Sequence, residues 1–155
     1  MTSTPQLLDC KIVDVEFGED VKVVRPANLY GCRIGARCFV GPFTEIQRNV
    51  TIGADCRIQS HSFICEFVDI GERCFIGHGV MFINDLFSGG GPARGDKSKW
   101  KSTRIGNDVS IGSNATILPV TITDHVVIGA GAVVTKNIDK PGVYAGNPAR
   151  LIRAL

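Results

Sequence analysis

From residue 34 onward an aliphatic or aromatic side chain returns at every sixth position: Ile34, Val40, Ile46, Ile52, Ile58, Ile64, Ile70, Ile76 and Phe82. Glycine follows directly at 35, 41, 53, 71 and 77, and the position four after each aliphatic is small or slim: Cys38, Thr44, Val50, Cys56, Ser62, Val68, Cys74, Val80. A weaker run, slipped by one residue, precedes it at Phe17, Val23 and Leu29. The unit resumes at Ile105, Ile111 and Ile117, then slips again to Ile122, Ile128 and Val134. A period of six fits neither a helical stripe of about 3.6 residues nor the alternation of a long strand; it fits a short strand plus a corner.

Three such units make one triangular coil of 18 residues. Coils stack at the β-ladder spacing of about 4.8 Å, so roughly six of them predict a prism about 30 Å long. The aliphatic and the slim residue point inward, and Cys38, Cys56 and Cys74, spaced by 18, become an internal column. The glycines are expected where a Cβ would strain the backbone. The reading is one all-β domain with coils over about residues 15–84 and 104–138. A cap over about residues 141–155 should hide the last ladder edge.

The period breaks once. After Phe82 the chain runs from Leu86 through Ser88-Gly-Gly-Gly91 to Trp100 and Thr103 before Ile105 restores it, which marks about residues 85–103 as a loop ejected from a coil. A solenoid has no packing reason to carry such a loop, so function is the preferred reading over a fraying excursion. Its glycines give mobility, and Arg94, Lys97, Lys99 and Lys101 surround Trp100 with positive charge suited to an anionic ligand. At its root, Asn84 should point outward and stack on Glu66, one coil earlier. His61, His78, Glu66, Asn84 and Asp85 all fall within about a coil of one another. They form the candidate catalytic cluster.

Composition narrows the partners. A net charge of +2 with no long Lys/Arg run argues against nucleic acid. No apolar stretch is long enough to cross a bilayer, and the first ten residues lack a signal-peptide pattern, so a cytoplasmic protein with no membrane partner is expected. The six cysteines are read as reduced thiols. No metal is expected, because no close pair of the C-x2-C kind exists.

These repeats and segments resemble the hexapeptide-repeat acyltransferase superfamily over about residues 15–153. The resemblance implies a left-handed parallel β-helix, a hand that spacing alone does not give, and a homotrimer. Segments Ile58 to Glu66 and Gly77 to Asp85 look most like the N-acetyltransferases that act on nucleotide-linked 3-amino sugars. Phe82-Ile-Asn-Asp85 stands where the galactoside and antibiotic acetyltransferases carry a histidine base. Ile111 to Pro119, Ile128 to Lys136 and Ala145 to Arg153 resemble the coenzyme half of the superfamily. By that resemblance Ser113 and Ala130 line the pantetheine groove, with Thr135, Lys136 and Arg153 near the adenosine phosphates and Arg150 as the alternative.

The implied activity is acetyl transfer from acetyl-CoA to the amino group of a dTDP- or UDP-linked amino-deoxy sugar, in cell-surface glycan (lipopolysaccharide) biosynthesis. Asn84 orients the amine, and His61 or His78, helped by Glu66, accepts its proton, since imidazole titrates near neutrality. Asp85, Arg94, Lys97, Trp100 and Lys101 are the candidate substrate residues. Three rivals are weighed. A hydroxyl acceptor, a sugar or serine, needs a firmer base. A zinc hydratase resembling the γ-type carbonic anhydrases needs two histidines five residues apart, which His61, His78 and His125 do not supply. A non-catalytic scaffold leaves the loop and the coenzyme half without purpose.

Overall fold

A computed structural model describes residues 6–155 as a left-handed parallel β-helix of triangular cross-section. Its first face stacks seven short strands, Ile12–Val13, Asn28–Tyr30, Glu45–Ile46, Phe63–Ile64, Met81–Phe82, Thr116–Ile117 and Val133–Val134. The second stacks Glu16–Phe17, Arg33–Ile34, Thr51–Ile52, Val68–Ile70, Thr103–Ile105 and Thr121–Ile122. The third stacks Lys22–Val23, Phe39–Val40, Arg57–Ile58, Phe75–Ile76, Ser110–Ile111, Val126–Ile128 and Gly142–Ala145. The seven-stranded face makes one coil more than the period suggested, because the prism starts at Ile12, ahead of the first readable repeat. Its six intervals of about 4.8 Å still give roughly 30 Å.

Register explains the slips. Ile46 pairs with Ile64 and Ile34 with Ile52, a step of 18, but Leu29 pairs with Ile46 and Ile117 with Val134, a step of 17. Across the loop Phe82 meets Ile117 and Ile70 meets Ile105, so the inward column continues as if the loop were absent. Each inward aliphatic thus lies on another, and Leu29, Val40, Ile46, Ile58, Ile64, Ile76, Ile111 and Ile117 are fully buried. The thiol column is equally continuous: Cys38, Cys56 and Cys74 donate to the carbonyls of Gly53, Gly71 and Gly106, each at 3.1 Å. All six cysteines are unpaired thiols, five of them buried.

The glycines have a different reason from the one expected. A Cβ on Gly53 would lie 2.7 Å from the Gly71 backbone, so the constraint there is close approach of the next coil. Left-handed backbone falls instead on polar corner residues. At the second-to-third corner Asp20, Arg37, Asp55, Arg73, Asp108 and His125 have φ between 55° and 60°. They form a column of alternating sign. Arg37 donates to both Asp55 oxygens at 2.7 and 2.6 Å, and Arg73 to both Asp108 oxygens at 2.9 and 3.0 Å. Hydrogen bonding to these guanidiniums holds both carboxyls below the ordinary aspartate range. The pairs are exposed, so their contribution is to register more than to stability.

The C-terminal segment departs from expectation. Gly142–Ala145 does not leave the prism but extends the third face in parallel beside Val126–Ile128. Only then does Arg150–Arg153 fold back antiparallel and cover that strand's edge. No helix among the described residues is long and apolar enough to cross a membrane.

Ile58 sits between Val40 and Ile76 in the inward column with no exposed surface. Ile58→Ala opens a cavity that neighbouring coils cannot fill, and is expected to cost about 2–5 kcal/mol, read as a lowered urea midpoint at unchanged m-value.

Candidate active site

The loop leaves at the first-to-second corner, where the strand Met81–Phe82 runs into Asn84 and Asp85. Its root is closed by the backbone: Lys101 N–H donates to the Asn84 carbonyl at 2.9 Å, and Thr103 N–H to that of Phe67 at 3.0 Å. Asp85 organises the interior, accepting the N–H of Phe87 at 3.0 Å and of Ala93 at 2.7 Å. Asp96 caps the single turn Lys97–Lys99 by accepting from Ser98 N–H. These contacts give the loop a defined path over the corner.

That path carries Lys97 onto Glu66. Glu66 as a residue is 7% exposed, and Lys97 Nζ donates to its two carboxylate oxygens at 2.9 and 2.6 Å. Burying a carboxylate is unfavourable unless it is paired and hydrogen-bonded, and Asn49 Nδ2 adds a long contact at 3.5 Å. Gln47 Oε1 accepts the Glu66 N–H at 3.3 Å. The expected stacking of Asn84 on Glu66 is present, with Asn84 Nδ2 donating to the Glu66 carbonyl at 3.2 Å. Trp100 lies tilted against Phe67, ring centroids 6.4 Å apart, and Lys97 Nζ stands 5.7 Å from the indole. Neighbouring Cys65 is no nucleophile: burial pushes its thiol up to about 12.

Glu66 and Asn84 are therefore neighbours as the sequence suggested, and the loop's path adds Lys97 and Trp100 to them. Asp85 spends both carboxylate oxygens on loop backbone, and Arg94 and Lys101 lie exposed on the loop surface. Gln47 and Asn49 were missed. The local step is 18 residues, so Gln47 and Asn49 lie one residue to either side of the position directly beneath Glu66, and a strict column count passes them over.

The histidines stand elsewhere. His61 and His78 occupy the third-to-first corner, at the opposite edge of the first face from Asn84. The six residue steps from His78 to Asn84 span up to about 20 Å when extended. Sequence separation placed these residues within one coil, which holds, but the triangular section divides them between two corners. Ser60 Oγ lies 2.8 Å from His78 Nδ1 and fixes that ring, while His61 stacks on Phe43 with centroids 5.0 Å apart. His125 is on the remaining corner, and among the described residues no three His, Cys, Asp or Glu side chains gather as a metal site.

Of the residues assigned to the coenzyme, Ser113 and Ala130 share the third-to-first corner in successive coils, with Gly131 N–H donating to the Ser113 carbonyl at 2.9 Å. Thr135, Lys136 and Arg150 line one cleft of about 290 Å³ at the C-terminal end, together with Asn137 and Tyr144. Arg153 pairs opposite Val143 and is not part of that cleft, so the geometry groups Arg150, the alternative, with Lys136.

Comparison with known proteins agrees with this architecture. Residues 31–66 match the family described as bacterial transferase hexapeptide (six repeats), and residues 102–136 match the hexapeptide repeat of succinyl-transferase. The bifunctional protein GlmU of Acidithiobacillus ferrooxidans is 31% identical over 149 residues, which are 90% of this chain and 32% of that protein. The chain thus spans about a third of the length of the curated relatives it matches. Among solved structures, a variant of AntD, an N-acyltransferase from Bacillus cereus in complex with dTDP and coenzyme A, superposes with a TM-score of 0.70 at 26% identity, covering 90% of this chain and 83% of that one. A hexapeptide-repeat acetyltransferase of Vibrio cholerae complexed with acetyl coenzyme A gives 0.65 at 25% identity, covering 81% and 71%.

Asp85→Ala removes two loop hydrogen bonds worth about 1 kcal/mol each. Cleavage between residues 86 and 100 in limited proteolysis should accelerate about tenfold or more, with the thermal midpoint of the prism nearly unchanged.

Proposed function

From the premise that the chain belongs to the hexapeptide-repeat transferases, we propose that it transfers an acetyl group from acetyl-CoA to the amino group of a nucleotide-linked amino-deoxy sugar. The observation that carries this reading is the loop root, where Asn84 and a buried carboxylate lie beneath a basic, Trp-bearing loop. An amino sugar on a nucleoside diphosphate presents complementary chemistry: an amine for the carboxylate and carboxamide, phosphates for the lysines, and a base to stack on an indole. The N-acyltransferase relative that binds dTDP and coenzyme A supports the same substrate class.

The site is read as shared between copies. Outward residues of the second face are charged or small, Glu16, Arg33, Thr51, Asp69, Arg104 and Thr121, and suit solvent. Those of the other two faces include Phe63, Met81, Val133, Phe39, Phe75 and Val127, an apolar surface flanking the third-to-first corner. In a cyclic trimer with head-to-tail contacts, this corner of one copy meets the first-to-second corner of the next. The acetyl-CoA groove then has Ser113 and Ala130 on one wall and Asn84 on the other. Thr135, Lys136 and Arg150 offer the cationic end for the phosphates.

In the reaction, the amine lone pair attacks the thioester carbonyl and the new C–N bond forms. The C–S bond breaks and its electron pair leaves with the CoA thiolate, which takes the proton released from nitrogen in that step; before it, the substrate's ammonium must give up one proton to become the neutral amine. Within a copy Glu66 is the acceptor beside Asn84; His78, fixed by Ser60, reaches the same groove from the neighbouring copy. Asn84 holds the amine in line through its carboxamide. A hydroxyl acceptor is the second reading, favoured only if the His78 ring proves to be the acting base.

Release of free thiol from acetyl-CoA should occur with one or more dTDP- or UDP-linked 3-amino or 4-amino sugars and not with serine or unmodified sugars. Asn84→Ala should lower kcat about 100-fold with the thermal midpoint retained. Near-wild-type turnover in that variant, or release only with hydroxyl compounds, contradicts the reading.

A further inference from the structure

We propose that the Lys97–Glu66 ion pair is a latch operated by the substrate: the diphosphate of the nucleotide draws Lys97 off Glu66, and only then is the carboxylate free to take the amine proton. This rests on the acyl-transfer reading above and adds a control to it.

Three features of the structure carry the latch. First, Lys97 Nζ contacts both Glu66 oxygens, at 2.9 and 2.6 Å, so an incoming ammonium meets a carboxylate whose charge is already paired with a cation. Second, the two partners differ in setting and exposure. Glu66 is built into the prism and its side chain is 10% exposed, whereas Lys97 comes from the ejected loop and is 49% exposed. The lysine, carried by the loop, is the more exposed member of the pair. Third, the other contact to the carboxylate, Asn49 Nδ2 at 3.5 Å, is too long to replace a cation. A phosphate oxygen near the loop therefore competes directly with Glu66 for one ammonium.

The exchange conserves charge at the site. The diphosphate takes the lysine cation, and the substrate's own ammonium enters beside the vacated Glu66 carboxylate. Glu66 accepts one N–H proton, and the neutral amine forms the C–N bond. As the C–S bond breaks, the proton lost from nitrogen in that step ends on the CoA thiolate. Without a diphosphate the carboxylate stays shut, so bare amino sugars and stray amines are not acetylated.

The latch has an optical reporter, since Lys97 Nζ stands 5.7 Å from the indole of the protein's single tryptophan. The experiment titrates the full chain with dTDP, UDP and GDP, and separately with coenzyme A, following Trp100 fluorescence and, in parallel, heat of binding. Nucleoside diphosphate should change the fluorescence, and coenzyme A alone should not. The decisive comparison is of sign. Lys97→Met should weaken nucleoside diphosphate binding about tenfold and abolish the fluorescence change. Glu66→Gln should tighten it severalfold, because the competitor for Lys97 is gone, while slowing acetyl transfer. Tightening is an effect a merely structural Glu66 does not produce.

Unchanged or weaker nucleotide binding in a folded Glu66→Gln protein overturns the latch. So does a fluorescence change driven by coenzyme A alone, which gives Lys97 to the wrong phosphate. In both cases acyl transfer to a nucleotide sugar survives as a reading. No heat with any nucleoside diphosphate, with coenzyme A still bound, overturns that reading and the latch together.

Discussion

Every feature of this protein depends on the backbone ladder that joins each coil to the next. Strands of two or three residues bury too little to be stable alone, so each survives only because the coils above and below pair with it and place an aliphatic on an aliphatic. That demand fixes the sequence to a step of 17 or 18 residues and converts positions along the chain into columns along the prism. Inward columns become the core of Leu29, Ile46, Ile64 and Phe82. Outward and corner columns are left free for charge, and the alternating Arg and Asp residues of the second-to-third corner use that freedom to reinforce the register.

A solenoid so constrained has no natural cavity, and its active chemistry must be added at the edges. Here the proposed site is added by interruption. The chain leaves after Asn84, folds a loop held by Asp85 and Asp96, and returns in register at Thr103, so the excursion costs the ladder nothing. The same corner holds the one glutamate buried in the prism, and the loop supplies its cation. The imidazoles and Ser113 and Ala130, the positions proposed for the coenzyme, occupy the other edge of the first face. A single copy therefore holds the proposed parts of the site at two separated corners, and in the proposed reading an association of copies brings a corner of each kind together.

The period of six made the core, the thiol column and the position of the loop legible, because each depends only on spacing. The stacking of Asn84 on Glu66 followed from the same arithmetic. Other features were hidden for physical reasons. The assignment of His61 and His78 to a different corner from Asn84 needs the triangular section, which a linear count does not contain. The Lys97–Glu66 pair depends on the loop's path, set by the backbone contacts of Asp85, which carry no periodic signal. The early coil at Ile12 was masked because Ile12, Val13 and Phe17 lie at the open end, partly exposed, where the inward pattern weakens. The final parallel strand, Gly142–Ala145, was masked because Tyr144 stands in its inward register, opposite Ile128, where the repeat has an aliphatic.

The central claim is that the reacting groups come together between copies, and subunit complementation tests it most directly. Asn84→Ala disables one wall of the groove and Ala130→Trp, at an exposed corner position, blocks the other. Each variant alone should be inactive. Unfolded together in equal amounts and refolded, they should form mixed trimers in which one junction of three pairs two intact walls, restoring about a quarter of the wild-type rate. Activity no greater than the sum of the separate variants, in samples shown to contain mixed trimers, would place the whole site within one copy and contradict the shared groove.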